Sequence, residues 1–123
     1  MNRRAAEKRG RGAETLACWY LRLKGWRILA RRARVPGGEV DIIARRRRTL
    51  AFVEVKARAT VEAAAFALDE WRLRRVVTAA ERLAPRYIRQ GDDVRVDALF
   101  LVPGRWPKHL ANVSQGDSSR RRY

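Results

Sequence analysis

Gly38-Glu39-Val40-Asp41-Ile42-Ile43-Ala44, followed by Phe52-Val53-Glu54-Val55-Lys56, decides how this chain folds. Both stretches are apolar, and a short, very basic run joins them. They predict two strands folded as a hairpin over about residues 39–44 and 50–57. Side chains two apart on a strand share a face, so Glu39 goes with Asp41 and Glu54 with Lys56. Across the hairpin, Asp41 and Glu54 can converge with Lys56 beside them. Two carboxylates hold a hard divalent cation, and a neighbouring ammonium orients or activates a water. That is equipment for cutting a phosphodiester. The competing reading is a solvated cross-strand charge ladder. Against it, Ile42, Ile43, Phe52, Val53 and Val55 make both strands apolar enough for a sheet interior, where unpaired carboxylates are expensive. Burial raises carboxylate pKa values and a bound cation lowers them, so metal binding is expected to weaken in acid.

Working outward, Ala13 to Lys24 has a helical stripe of Ala13, Leu16, Ala17, Tyr20 and Leu21, closed by Gly25. Trp26 to Ala30 predicts a short strand, and Arg31 to Gly38 a basic loop ending in Pro36-Gly37-Gly38. The hairpin connection, Arg45-Arg46-Arg47-Arg48-Thr49, lacks the usual Gly or Asn. Ala57 to Ala67 suits a helix or a mobile lid. Asp69 to Leu83 predicts an amphipathic helix with Leu73, Val76, Val77, Ala80 and Leu83 inward and arginines mostly outward, ended or kinked by Pro85. Val94 to Val102 predicts a strand with Val94, Val96, Ala98, Phe100 and Val102 on one face and Arg95 and Asp97 on the other. Trp106 to Val113 suits an added edge strand. The order helix-strand-strand-strand-helix-strand predicts an α/β sandwich around a mixed central sheet.

The 123 residues allow one ordinary domain, placed at 13–113 between a basic mobile arm (1–12) and a polar basic tail (114–123). With 46% hydrophobic residues a packed core is available. Lys and Arg total 29 against 13 Asp and Glu, and the formal charge of +16 favours a polyanionic partner, nucleic acid first. Only Lys8, Lys24, Lys56 and Lys108 are lysines; such an arginine bias also arises from genome composition. The same bias makes Lys56 informative, since a compact ammonium can sit beside two carboxylates and a water where a guanidinium is too broad. The single Cys18 reads as core filler and, with no internal disulfide possible, fits a cytoplasmic location. The single His109 leaves a histidine zinc site without partners. No apolar run reaches membrane-span length, so no membrane partner is expected. Glu14 suits either helix N-terminal charge stabilisation or a further contact to a metal. Glu39 suits either the site or solvent. Trp19, Trp26, Trp71 and Trp106 read as packing residues, Trp71 on the basic helix being the best candidate for stacking on a base.

Helix, Gly38 to Ala44, Phe52 to Arg58, helix and Arg95-Val96-Asp97 together resemble the YraN-like family of small bacterial proteins. That family in turn resembles Holliday-junction resolvases and the restriction-endonuclease-like, PD-(D/E)XK superfamily. The resemblance runs from about Gly10 to Val113. Gly12-Ala13-Glu14 matches the early Gly/Glu region, Asp41 the motif aspartate and Glu54-Val55-Lys56 the E-x-K. Arg95-Val96-Asp97 and His109-Leu110-Ala111-Asn112 match the C-terminal segments. The resemblance implies a restriction-endonuclease-like three-layer sandwich. It also implies Mg²⁺ (or Mn²⁺) held by Asp41, Glu54 and the main-chain carbonyl of Val55, with Lys56 positioning the attacking water and Glu14 completing the site. The chain departs from the pattern at the four-arginine turn and at Arg72, where relatives tend to place a lysine.

The expected function is metal-dependent phosphodiester hydrolysis on DNA, with phosphate contacts from the arm, from Arg45, Arg46, Arg47 and Arg48, and from Arg72 and Arg75. Phosphate contacts carry no sequence information, so selectivity for DNA structure is expected, and a homodimer is compatible with it. The rival is a non-catalytic protein that binds nucleic acid or a ribonucleoprotein and keeps a vestigial site. A third reading is a scaffold whose charge is genome bias alone.

Overall fold

The computed structural model describes residues 3–115. Its centre is the expected hairpin. Strand β2 (Gly38–Arg46) pairs antiparallel with β3 (Thr49–Ala57) in the register Ile42↔Val53, Ala44↔Ala51, Arg46↔Thr49. The turn is two residues, Arg47 and Arg48, rather than the expected five. Arg47 sits at φ 54°, the left-handed region that Asn or Gly normally occupies at a hairpin tip. The Arg48 carbonyl accepts from the N–H of Asp93 at 2.7 Å, tying the tip to the next strand.

Strand β1 (Arg27–Val35) precedes β2 and pairs with it antiparallel. It overruns the expected strand and takes in most of the expected loop. Its Ala33 and Val35 pack on the core, Arg31 and Arg32 donate to Thr15 and Glu14 of the first helix, and Arg34 points to solvent, an edge strand in which charge does not break pairing. Pro36 and Gly37 make the β1–β2 turn, Gly37 at φ 82° supplying the conformation that a Pro-Gly turn needs. Two helices, α2 (Val61–Ala67) and α3 (Glu70–Tyr87), carry the chain to β4 (Asp93–Leu101), parallel to β3. A short β5 (Lys108–Leu110) adds antiparallel to β4, and a 3₁₀ turn follows at Val113–Gln115. The expected order is therefore not matched, since it left out two elements that the sequence allowed: the helix within Ala57–Ala67, present as α2 and capped by Thr60 accepting from Ala63 N–H at 3.0 Å, and the edge strand within Trp106–Val113, present as β5. The result is a mixed α/β fold with an open five-stranded mixed sheet, order β1-β2-β3-β4-β5.

The first helix, α1 (Arg3–Leu23), begins well before the expected Ala13; the Arg, Ala, Glu and Lys that precede it are good helix formers. The N-terminal end of the expected arm and most of the tail lie outside the described residues. Ala17, Cys18 and Leu21 of α1 cover one sheet face, made by Ile42, Ala44, Ala51, Val53, Val55, Leu99 and Leu101. Val76, Ala79, Ala80 and Leu83 of α3 cover the other, against Val40, Ile43, Leu50, Phe52 and Val96. Ala64 of α2 packs on Ala98 and Phe100. Asp69 caps α3 by accepting from Arg72 N–H at 2.8 Å. Pro85 does not stop the helix, because in the last turn its missing N–H removes only one bond. Gly38 sets how closely α3 approaches: a Cβ there would lie 2.6 Å from the Arg75 carbonyl oxygen. Only Trp26 of the four tryptophans is core; Trp19, Trp71 and Trp106 are exposed, contrary to the packing role expected.

Candidate functional site

The β2–β3 ladder stops at Ile42↔Val53. The next rung in that register would set Asp41 opposite Glu54, and there the strands part. Asp41 Oδ2 accepts from the N–H of Val55 at 2.8 Å, so a carboxylate replaces the next ladder acceptor and is fixed in place by the backbone. Glu54 is fully buried. Its Oε2 lies 3.2 Å from Lys56 Nζ and 2.5 Å from Arg72 Nε of α3. Its Oε1 has no hydrogen-bond partner among the described residues. Burial first, then the charge of Glu54, pushes the Asp41 carboxyl up to about 8. The structure thus brings Asp41, Glu54 and Lys56 together inside the protein, not on a solvated ladder.

Glu14 on α1 adds its charge to the same effect on Asp41, although its carboxylate is held by Arg32 Nε at 2.7 Å. Glu39 takes neither expected role alone. It is half-buried and accepts from Arg72 Nη1 at 2.6 Å, with Arg75 at 3.9 Å. Burial works to raise the Glu39 carboxyl, but the hydrogen bond and charge of Arg72, with Arg34 and Arg75, outweigh it and hold it below its usual value. The Arg72 guanidinium is raised in turn: burial opposes its charge, and Glu54 and Glu39 overcome that.

The arginines expected to contact phosphate fall in different surroundings. Arg72 and Arg75 lean onto site carboxylates rather than outward. Arg45 is buried, with Nη1 2.8 Å from Asp92 and Nη2 donating to the Tyr87 carbonyl at 2.6 Å; it pins the hairpin to the segment before β4. Arg46, Arg47 and Arg48 are exposed, but at the hairpin end remote from Asp41, about 17 Å along the strand. Asp97 is fully buried. It accepts from Arg95 Nη2 at 2.8 Å and from the Asn112 N–H at 3.0 Å, and lies 2.7 Å from His109 Nε2. Burial would raise its carboxyl; His109, Arg95 and the Asn112 N–H hold it low instead. It is the pin that joins β4 to β5. The sequence signal for it was the spacing of Arg95-Val96-Asp97 and His109-Leu110-Ala111-Asn112.

A hard divalent cation suits Asp41 and Glu54. Both offer oxygen donors, both are largely buried, and Glu54 Oε1 lacks a partner. Among the described residues no group of three or more His, Cys, Asp or Glu side chains stands ready for a metal. Magnesium is commonly held by only one or two carboxylates, with water completing its shell.

The family model described as "Uncharacterised protein family UPF0102" matches residues 13–101, from α1 through β4. A UPF0102 protein of Sphingopyxis alaskensis is 56% identical over 115 residues, covering 94% of this chain and 99% of that protein. One from Rhizorhabdus wittichii is 56% identical with the same coverage, and one from Erythrobacter litoralis 48%.

Proposed function

Since the chain belongs to the uncharacterised protein family UPF0102, its chemistry has to be read from the site, and we propose a metal-dependent phosphodiester hydrolase acting on DNA. The observation that carries this is the buried pair Asp41 and Glu54, two carboxyl groups close enough to share a proton, with no other partner for Glu54 Oε1 among the described residues and Lys56 at 3.2 Å from Oε2. The helices on both sheet faces are compatible with a restriction-endonuclease-like fold, which forms part of the proposal. Asp41, Glu54 and the Val55 carbonyl would hold Mg²⁺ or Mn²⁺, which when bound supplies an activated water and stabilises charge on the phosphoryl oxygens. Val55 N–H fixes the orientation of Asp41, and Lys56 positions the water against the phosphate. Arg72 ties Glu54 to Glu39 and keeps this acidic end of β3 from repelling itself. Glu14 sits outside this pair, on Arg32.

DNA is favoured as substrate by the charge of +16, with selectivity for structure rather than sequence. A cytoplasmic location and a homodimer belong to the same reading. A second reading, non-catalytic nucleic-acid or ribonucleoprotein binding, is favoured by one observation: Arg72 already occupies Glu54 Oε2. Cleavage of labelled linear, nicked and four-way-junction DNA with Mg²⁺ or Mn²⁺ separates the two. Cutting by the wild type that Asp41→Ala and Lys56→Ala abolish is expected. Binding without cutting would leave the second reading.

A further inference from the structure

Helix α1 carries a second apolar stripe besides the one in the core. Leu16, Trp19 and Leu23 on it are exposed, Trp19 by 60%. They form one wall of a groove of about 810 Å³ whose other wall is the loop after β4, with Pro103 and Trp106. Trp106 is 83% exposed. Contiguous apolar surface of this kind marks an interaction site. Among the described residues, the only charged side chains lining the groove are Arg58 and Arg105. Arg22 lies beside it, its guanidinium 5.5 Å from the Trp19 ring centroid.

A second copy of the chain is a poor occupant. Pairing this face with itself would bring the same arginines of two strongly cationic molecules together. An intact duplex is also poor, because its bases are stacked on one another and offer no face to an indole. Unpaired nucleotides satisfy both features at once: bases stack on aromatic rings, and the phosphates between them meet the guanidinium groups. We propose that this groove binds a single-stranded nucleic-acid segment, with bases stacked on Trp19 and Trp106 and phosphates held by Arg58 and Arg105.

The groove adjoins the candidate active site through α1. Ala57, which lines it, faces away from Lys56, as adjacent strand residues do. The link in space is Glu14, beside Ala13 of the groove wall, whose charge acts on Asp41. The inference deepens the proposed function by naming the substrate class, DNA with an unpaired tail or flap, and rests on that reading for the cleavage step alone.

Fluorescence anisotropy with labelled oligothymidine and a duplex of equal length, in EDTA, tests it on the full chain. The wild type is expected to bind the single strand more tightly than the duplex. Trp19→Ala and Trp106→Ala should each weaken single-strand binding roughly 5- to 150-fold, the loss of one stacked base, and leave duplex binding unchanged. Arg58→Ala and Arg105→Ala should each lower the salt slope by about 0.7. Both tryptophans are exposed, and unchanged urea midpoints would verify that the variants fold. Quenching of wild-type tryptophan fluorescence by oligothymidine gives a readout that needs no variant. Single-strand binding that neither tryptophan substitution weakens would overturn the proposal. So would a wild-type dimer in sedimentation that Trp106→Ala dissociates, since a second copy would then cover the groove. Because no metal is present, absence of cleavage elsewhere would sink the hydrolase reading without touching this result.

Discussion

Asp41→Asn is expected to stabilise the metal-free protein at neutral pH, the reverse of what most substitutions at buried positions do. Asn keeps an oxygen for the Val55 N–H, now 2.8 Å from Oδ2, and removes the cost of taking up a proton on folding that a carboxyl beside Glu54 carries at neutral pH. The carboxyl is raised from 3.8 to about 8. A raised folded value means that the stabilising contribution is complete below the unfolded pKa and is lost as pH climbs towards about 8. At pH 7 the gap is about three pH units, and at about 1.4 kcal/mol per unit the ceiling is about 4 kcal/mol. Relaxation and water entry around the pair remove about half of that, leaving roughly 2 kcal/mol. Urea unfolding in EDTA from pH 4 to 8 reads it directly. Wild type and variant should coincide near pH 4 and diverge as pH rises, with the variant more stable. Acidic groups remote from Asp41 titrate alike in both proteins and cancel in the difference. Saturating Mn²⁺ should reverse the order, since a ligand at a hundredfold over its Kd adds about 2.7 kcal/mol to the chain that binds it. A variant less stable than wild type throughout, in EDTA, would refute the reasoning: Asp41 would then be a satisfied structural anion, not a carboxylate strained by its neighbour.

Three further outcomes follow from the same geometry. Arg72→Met removes the guanidinium that touches both Glu54 and Glu39. After discounting for its partial exposure, the loss should be about 2–3 kcal/mol in urea unfolding without metal, and a divalent cation should restore part of it. Gly38→Ala would drive a methyl into the backbone of α3 at Arg75 and Ala79, costing about 1–3 kcal/mol and loosening Arg72 from Glu39, read as a lower thermal midpoint. Asp97→Asn breaks the Arg95 and His109 contacts and should lose about 2–4 kcal/mol at neutral pH. Because the Asp97 carboxyl is held low, its contribution is present above the unfolded pKa and fades as pH falls, so the gap to wild type should close in acid.

The hairpin and the amphipathic α3 were legible because both are periodic: one face of each strand and one stripe of the helix had to be buried. The elements that were misjudged lack that signal. β1 is an edge strand whose arginines are exposed, and its pattern is that of a loop. Two-residue turns are read from Asn and Gly, and the Arg47-Arg48 tip has neither. α2 stayed open between helix and lid because it is one short run of mostly alanine, with a single buried residue to mark its inner side.

The candidate site was legible in its anions and in Lys56, and not in its arginines. Asp41 and Glu54 announce themselves because carboxylates are conspicuous among Ile, Val and Phe. Arginines are not conspicuous in a chain with 29 basic residues, so nothing in their spacing tells an outward guanidinium from one turned inward. Their placement follows from the anions instead. A buried Glu54 needs a counter-charge, and the first turn of α3, brought close by Gly38, presents Arg72 to it. A guanidinium suits that place better than the lysine that the family resemblance suggests, for a geometric reason. Its Nε meets Glu54 while its Nη1 meets Glu39 at 2.6 Å, two acceptors on different strands engaged by one rigid plane. An ammonium would meet both only from a single point, without the fixed spacing that Nε and Nη1 supply. The same fork engages Oε2 of Glu54 and leaves its Oε1 without a hydrogen-bond partner among the described residues.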